Sequence, residues 1–157
     1  MEKPYIQKKI KILILSLLIA IPLPLNAQTA DFRITKAETT SNSNAILEIV
    51  VYCKDKKKLD KEAKVAALRA VMFNGCPGTP YNKALLENGE QTCYQESPSY
   101  FENLWSERYA DFIVSAVPIS KFKKADKQKG TSYKIEVRVM QLRKDLEKNK
   151  IKKRFGL

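Results

Sequence analysis

The stretch Ala45-Ile46-Leu47-Glu48-Ile49-Val50-Val51-Tyr52-Cys53 decides the fold. Ala45, Leu47, Ile49, Val51 and Cys53 share one face, and Ile46, Glu48, Val50 and Tyr52 share the other. Period-two apolarity rich in β-branched residues predicts a strand packed on one side and partly covered on the other. Cys53 lies on the apolar face and is expected to pack there as a small hydrophobe. After the charged turn Lys54-Asp-Lys-Lys-Lys58 the period changes. Val65, Leu68, Val71 and Met72 recur at helical spacing, and Ala63, Ala66, Ala67 and Ala70 permit close approach to a sheet. Asp60 is expected to cap this helix, with Leu59 before it as a hydrophobic staple. Asn74-Gly75 supplies the stop, and Cys76-Pro77-Gly78-Thr79-Pro80 follows as a rigid loop.

Toward the carboxyl end, Tyr81 to Gln95 reads as a short helix over Lys83–Glu87 and then an exposed loop. Ser99-x-x-Glu102 has the spacing of a capping box, and Phe101, Leu104, Trp105 and Tyr109 form an apolar stripe expected in the core. Ala110–Ile119 and Ser132–Leu142 read as strands. In the second, Tyr133, Ile135, Val137 and Val139 face inward while Lys134, Glu136 and Arg138 face out. Lys121–Gly130 is a charged connection suited to a long hairpin. Leu142, Leu146 and Ile151 suggest a short closing helix with the basic end Lys150-Ile-Lys-Lys-Arg154. No internal repeat is visible. Late strands joined without a helix pair most easily antiparallel. The class expected is α+β: a two-layer sandwich whose small, mainly antiparallel sheet of about three to four strands is covered by two to three helices.

Toward the amino end, residues 1–27 read as a secretory signal peptide. Lys3, Lys8, Lys9 and Lys11 precede the apolar run Ile12–Ile21, Pro22 and Pro24 interrupt it, and Ala27 is a small residue at the expected cut. The run is too short to span a bilayer, and no Cys follows the cut to carry a lipid. Residues 28–44 are polar, a linker or an edge strand, and 45–157 form a single α+β domain with a basic carboxyl-terminal segment. The location expected is outside the cytoplasm: periplasmic, outer-surface or secreted.

Composition narrows the chemistry. The chain of 157 residues has no His, which excludes His-based nucleophile systems and His-ligated zinc, and five scattered Gly leave no phosphate loop. Nothing calls for a cofactor or a metal. Residues 28–120 hold 11 basic and 12 acidic side chains, whereas 121–157 hold 14 and 4. So one-sided a field favours an anionic partner. Lys121, Lys123, Lys124, Lys150, Lys152, Lys153 and Arg154 are the candidate contacts, with a solvated lysine-rich face as the plainer alternative. Cys76 and Cys93 are a candidate disulfide across the loop, permitted by export. Ser120-x-x-Lys123 matches a penicillin-recognising pattern but lacks its companions and falls at a strand end, so it is read as chance. The carboxylate pairs Glu87/Glu90 and Glu102/Glu107 read as solvated surface. Tyr100, Phe101 and Trp105 read as core, not as a stacking platform, and no nucleic acid is expected.

The ending Asn26-Ala27-Gln28, the run Ala66-Ala-Leu-Arg-Ala-Val-Met-Phe-Asn-Gly75, Ser99-Tyr-Phe-Glu102, and Leu142-Arg-Lys-Asp-Leu-Glu147 with Phe155-Gly156-Leu157 resemble a family of small exported Bacteroidota proteins of unknown function. In topology alone, the alanine-rich helix between an early strand and two late ones is similar to the amino-terminal module of flagellar H-ring proteins and related envelope lipoproteins. These motifs are structural and transfer no catalytic residue. The function expected is a non-enzymatic envelope module, docking a protein or an anionic lipid or glycan through its sheet edge or basic segment. The alternatives are a secreted His-free enzyme, using carboxylates or a Ser/Lys pair within Cys76–Gln95, and a purely electrostatic lipid or glycan binder.

Overall fold

The computed structural model describes residues 30–41, 43–53, 55–121, 123–125 and 128–152, with backbone alone at 41, 123–125, 128 and 129. The segment 1–27, Lys153 and Arg154 lie outside the described residues. Asn44–Tyr52 is a strand, here β2, and its alternate residues Ala45, Leu47, Ile49 and Val51 are fully buried. It pairs on one side with β1, Asp31–Ser41, so residues 31–41 of the polar stretch form an edge strand of the sheet among the described residues. On the other side it pairs with the late strand β5, Gln128–Val137. β5 then takes β3, Ile113–Pro118, and the three-residue β4, Lys123–Ala125. All pairings are antiparallel, in the order β1-β2-β5-β3 with β4 also on β5. The fold is α+β, as its strand and helix pattern predicts, with one short strand more than expected.

The first helix, α1, covers Leu59–Arg69 and continues as a π-helical turn over Ala70–Asn74. Ala63, Ala66, Ala67 and Ala70 are buried, and α1 contacts β2, β5 and β3. Methyl side chains let the helix axis lie close to the sheet, where larger residues would hold it away. Asp60 is not the cap. The helix begins two residues earlier than such a cap implies, with Lys58 at the cap position and no side-chain cap bond, and Asp60 instead pairs with Lys64 one turn on at 2.6 Å. Buried Leu59 pulls the first turn back into the core.

The expected helix over Lys83–Glu87 is absent, and a helix forms later, α2 over Glu90–Glu96. The reason lies at the end of the π turn. Leu85 and Leu86 are buried, and their N–H groups donate to the carbonyls of Val71 (3.3 Å) and Met72 (2.9 Å). Those carbonyls are left over where the helix stops, so the extended loop satisfies the helix end and gives up its own helical bonds. Helix α3 spans Pro98–Ser106 with Ser97, not Ser99, at its cap position, and no side-chain cap bond. Proline fixes the backbone angle of the first helical turn without needing an N–H partner, and this sets the start two residues earlier than a Ser99 cap implies.

A 3₁₀ turn, Arg108–Phe112, precedes β3, so Ala110 to Phe112 are not strand. β5 stops at Val137, and Val139 and Leu142 belong to helix α4, Val139–Lys148. Arg138 makes the break: its N–H donates to the Phe112 carbonyl at 2.9 Å and its guanidinium to the Asp111 carbonyl at 2.8 Å. Val139, Leu142 and Leu146 are nonetheless buried, now along one side of a helix. Phe101 and Leu104 are buried, with Tyr100 and Trp105 packed around Phe101 at ring separations of 5.2 and 5.9 Å.

All three cysteines are free thiols. The candidate Cys76–Cys93 bridge is not present, because each sulfur is placed by its own segment. Cys76 is buried under the loop, its N–H bonded to the Tyr81 carbonyl, and the Cys93 thiol donates to Asn88 one turn before it. Cys53 is half-buried just past β2, with its thiol on the Asp55 carbonyl. No helix among the described residues is long and apolar enough to cross a membrane.

Gly75 and Gly78 both have positive φ, 76° and 79°. A Cβ on Gly75 would lie 2.5 Å from the Asn82 carbonyl oxygen, whereas one on Gly78 meets nothing within 4 Å. Gly78→Ala therefore costs only its conformational preference, about 1 kcal/mol. Gly75→Ala adds a backbone collision and costs at least about 2 kcal/mol more. Urea unfolding of the two variants measures the difference; equal costs contradict the packing described.

Candidate functional site

The helices take one face of the sheet, and what remains is the other face, the sheet edges and the clefts at the strand ends. β3 is an edge, with β5 on one side and no strand on the other among the described residues. It is the least covered apolar strand: Val114 is 44% exposed, Val117 54%, and Ile119, just after it, 50%. Ile119 N–H donates to the Ser132 carbonyl at 2.8 Å, so alternation turns the N–H and C=O of Ala116 away from β5. Pro118 sits at the next outward position, where its missing N–H costs the sheet nothing. Between Ile113 and Ser115 the register shifts by a bulge that throws Val114 outward.

Cations surround this edge. Lys134 lies opposite Val117 across the pair and is exposed, and exposed Lys121 follows the strand. By Lys121 a groove of about 470 Å³ is lined by Val50, Tyr52, Ser120 and Thr131. There Ser120 Oγ accepts the Ser132 N–H at 2.8 Å, which employs the Ser-x-x-Lys serine in holding the strand end. Thr131 is buried with its hydroxyl unpartnered.

At the other end of β3 a cleft of about 490 Å³ is lined by Arg108, Asp111, Arg138, Lys144, Asp145 and Lys148. Its floor is a network. Asp145 accepts from Tyr100 Oη at 2.8 Å and from an Arg108 guanidinium nitrogen at 2.6 Å. Burial, and then the bond to Asp145, push the Tyr100 phenol far above its ordinary range, so it stays a donor. The Arg108 guanidinium is likewise held charged by Asp145. Arg108 also lies 3.8 Å from Asp111, whose carbonyl fixes Arg138.

The candidate contacts read from sequence are scattered. Lys121 lies by β3, and Lys123 and Lys124 are in β4. Lys150 is exposed beyond α4 with φ of 61°. Lys152 turns back and donates to the Leu85 carbonyl, so it is spent on holding the loop. The cleft cations Arg108, Arg138, Lys144 and Lys148 were not singled out. For Lys144 and Lys148 the four-residue spacing on α4 was available; Arg108 comes from the charge-balanced half and had no signal.

The carboxylate and cysteine candidates gain no chemistry here. Glu90 is held by both Arg69 nitrogens at 2.7 and 2.8 Å, and Glu87, Glu102 and Glu107 are exposed. Burial pushes the Cys76 thiol up to about 11 and raises Cys93 as well. Thiols so placed are poor nucleophiles. No group of three or more metal-ligating side chains occurs among the described residues. No protein-family model, no curated protein and no solved structure matches the chain.

The floor of the cleft is testable through pH. Because the Tyr100 phenol is raised in the folded state above its ordinary value of 10, its contribution to stability is complete below pH 10 and is lost as pH rises beyond it. Tyr100→Phe should cost about 1.5–3 kcal/mol at neutral pH, the range for a hydrogen bond to a charged group. The gap to the parent should narrow above pH 10 in chemical denaturation. A gap constant with pH contradicts the Tyr100–Asp145 bond.

Proposed function

We propose that the protein is an exported, non-enzymatic envelope module that docks an extended segment of another protein along β3. The observation that carries this reading is the unpaired edge with Val114, Val117 and Ile119 exposed. A free edge binds by adding a strand: main-chain bonds give affinity, and alternate side chains give selection. Pro118 has no N–H to offer, so the receptive stretch is short and centres on Ala116.

Charge chooses the occupant. Lys121 and Lys134 stand by one half of the edge, and the Arg138, Lys144 and Lys148 cleft opens at the other end. The fitting segment is apolar in the middle and acidic at its flanks. A second copy of this chain fits poorly, because antiparallel self-pairing sets Lys121 of each copy toward the basic cleft of the other. Export, the resemblance to small Bacteroidota proteins and the absence of enzymatic activity belong to the same proposal, supported by the signal-like start and the lack of a catalytic constellation in the sequence.

Val114→Lys/Val117→Lys places charge on exposed side chains and should change stability by less than about 0.5 kcal/mol each. In a pull-down from crosslinked envelope extract, the parent should retain a discrete protein at high salt, and this variant should lose it. Lys57→Glu, on the turn before α1, should retain it. Equal capture by parent and edge variant rejects the edge as the docking site. Retention of lipid or glycan alone, lost at high salt, moves the assignment to electrostatic surface binding, and concentration-dependent dimers broken by the edge variant move it to a second copy.

A further inference from the structure

The cleft between the 3₁₀ turn and α4 has a composition that a solvated surface does not require. Four cations, Arg108, Arg138, Lys144 and Lys148, face two carboxylates, Asp111 and Asp145. Asp145 is already satisfied by Arg108 and Tyr100, on a side chain only 16% exposed. Asp111 is exposed and stands 3.8 Å from Arg108. The local balance is two positive charges. Among the described residues neither Lys144 nor Lys148 has an acidic partner, although like charges one helical turn apart repel.

The two guanidiniums are also fixed in place. Arg108 is held through Asp145, and its planar group lies 5.8 Å from the Phe112 ring centre. Arg138 is held through the Asp111 carbonyl. A guanidinium has five N–H donors in a rigid fork, so these bonds leave donors on both residues for another acceptor. Preorganised forks beside mobile ammonium groups suit an oxyanion with several acceptor oxygens. We propose that this cleft is a binding site for a phosphomonoester dianion, carried free in solution or on a lipid headgroup. Its two charges match the local surplus, and its oxygens accept from both guanidiniums while Lys144 and Lys148 close over it from α4. The site is separate from strand docking on β3, and neither requires the other.

The test is a titration of the isotopically labelled protein with inorganic phosphate, followed by amide shifts, against chloride at matched ionic strength. A parallel arm measures co-sedimentation with phosphatidylcholine vesicles containing phosphatidic acid. Arg108→Gln strips Asp145 of its cation, and Arg138→Gln removes the bond to Asp111 that helps to end β5, so the deciding variant is Lys144→Gln/Lys148→Gln, at two exposed side chains. Lys57→Gln/Lys58→Gln removes the same charge elsewhere. Expected are saturable shifts at Arg108, Arg138, Gln141 and Lys144 and a loss of at least about tenfold in affinity in the cleft variant alone. Vesicle binding that also falls in that variant assigns the headgroup as the source; phosphate binding without it assigns free phosphate. No saturable response in either arm, or equal losses in the two double variants, overturns the site.

Discussion

Eight residue pairs join β2 to β5, from Ala45 opposite Val137 to Tyr52 opposite Gly130. Every second pair is buried on the helix side: Ala45 with Val137, Leu47 with Ile135, Ile49 with Tyr133, and Val51 with Thr131. A slip of one residue would turn that set toward solvent and bring Glu48 and Lys134 inside, so burial fixes the register. The alanine face of α1 then has one place to lie, and α4 closes the end where β5 stops. Apolar area removed from water this way is worth roughly 25 cal/mol per Å², which makes this ladder and its helix cover the main source of cohesion.

The same one-sided burial leaves the surfaces proposed for binding. A sheet covered on both faces with helices at its margins would hide its edges. Here the helices are used on one face, and β3 ends the sheet with three apolar side chains in water. Across the open face, the row Lys36, Glu48, Lys134, Val117 alternates in charge until it reaches the edge. That arrangement discourages nonspecific stacking on the face and leaves β3 the apolar exception. The cleft at the start of β3 follows from the chain break at Arg138, whose bonds to Phe112 and Asp111 end β5 and bring α4 beside the 3₁₀ turn.

The class, the central strand, the alanine helix, the late hairpin and the inward set on β5 were all legible, because period and residue type agree there. Errors cluster where tertiary bonds replace local ones. Leu85 and Leu86 abandon a helix for the carbonyls at the end of the π turn, and Val139 keeps its burial while changing from strand to helix. Asp60 and Ser99 have the right chemistry for caps, but burial of Leu59 and the fixed backbone of Pro98 move each start two residues. The basic segment was visible as composition alone. Its division into Lys152, held by Leu85, and Lys144 with Lys148, beside two arginines, depends on where α4 lies, and Arg108 joins them by pairing with Asp145, 37 residues along the chain.

Hydrogen exchange at Ala116 tests the central claim most directly, since its N–H is turned away from β5 and is the donor that a docked strand would take. In the free protein it should exchange orders of magnitude faster than the amides of Ile49 and Ile135, and it should slow selectively when the captured partner is bound. An Ala116 amide as protected as those two in the free protein, or one that a bound partner leaves unchanged, contradicts an open edge used for docking.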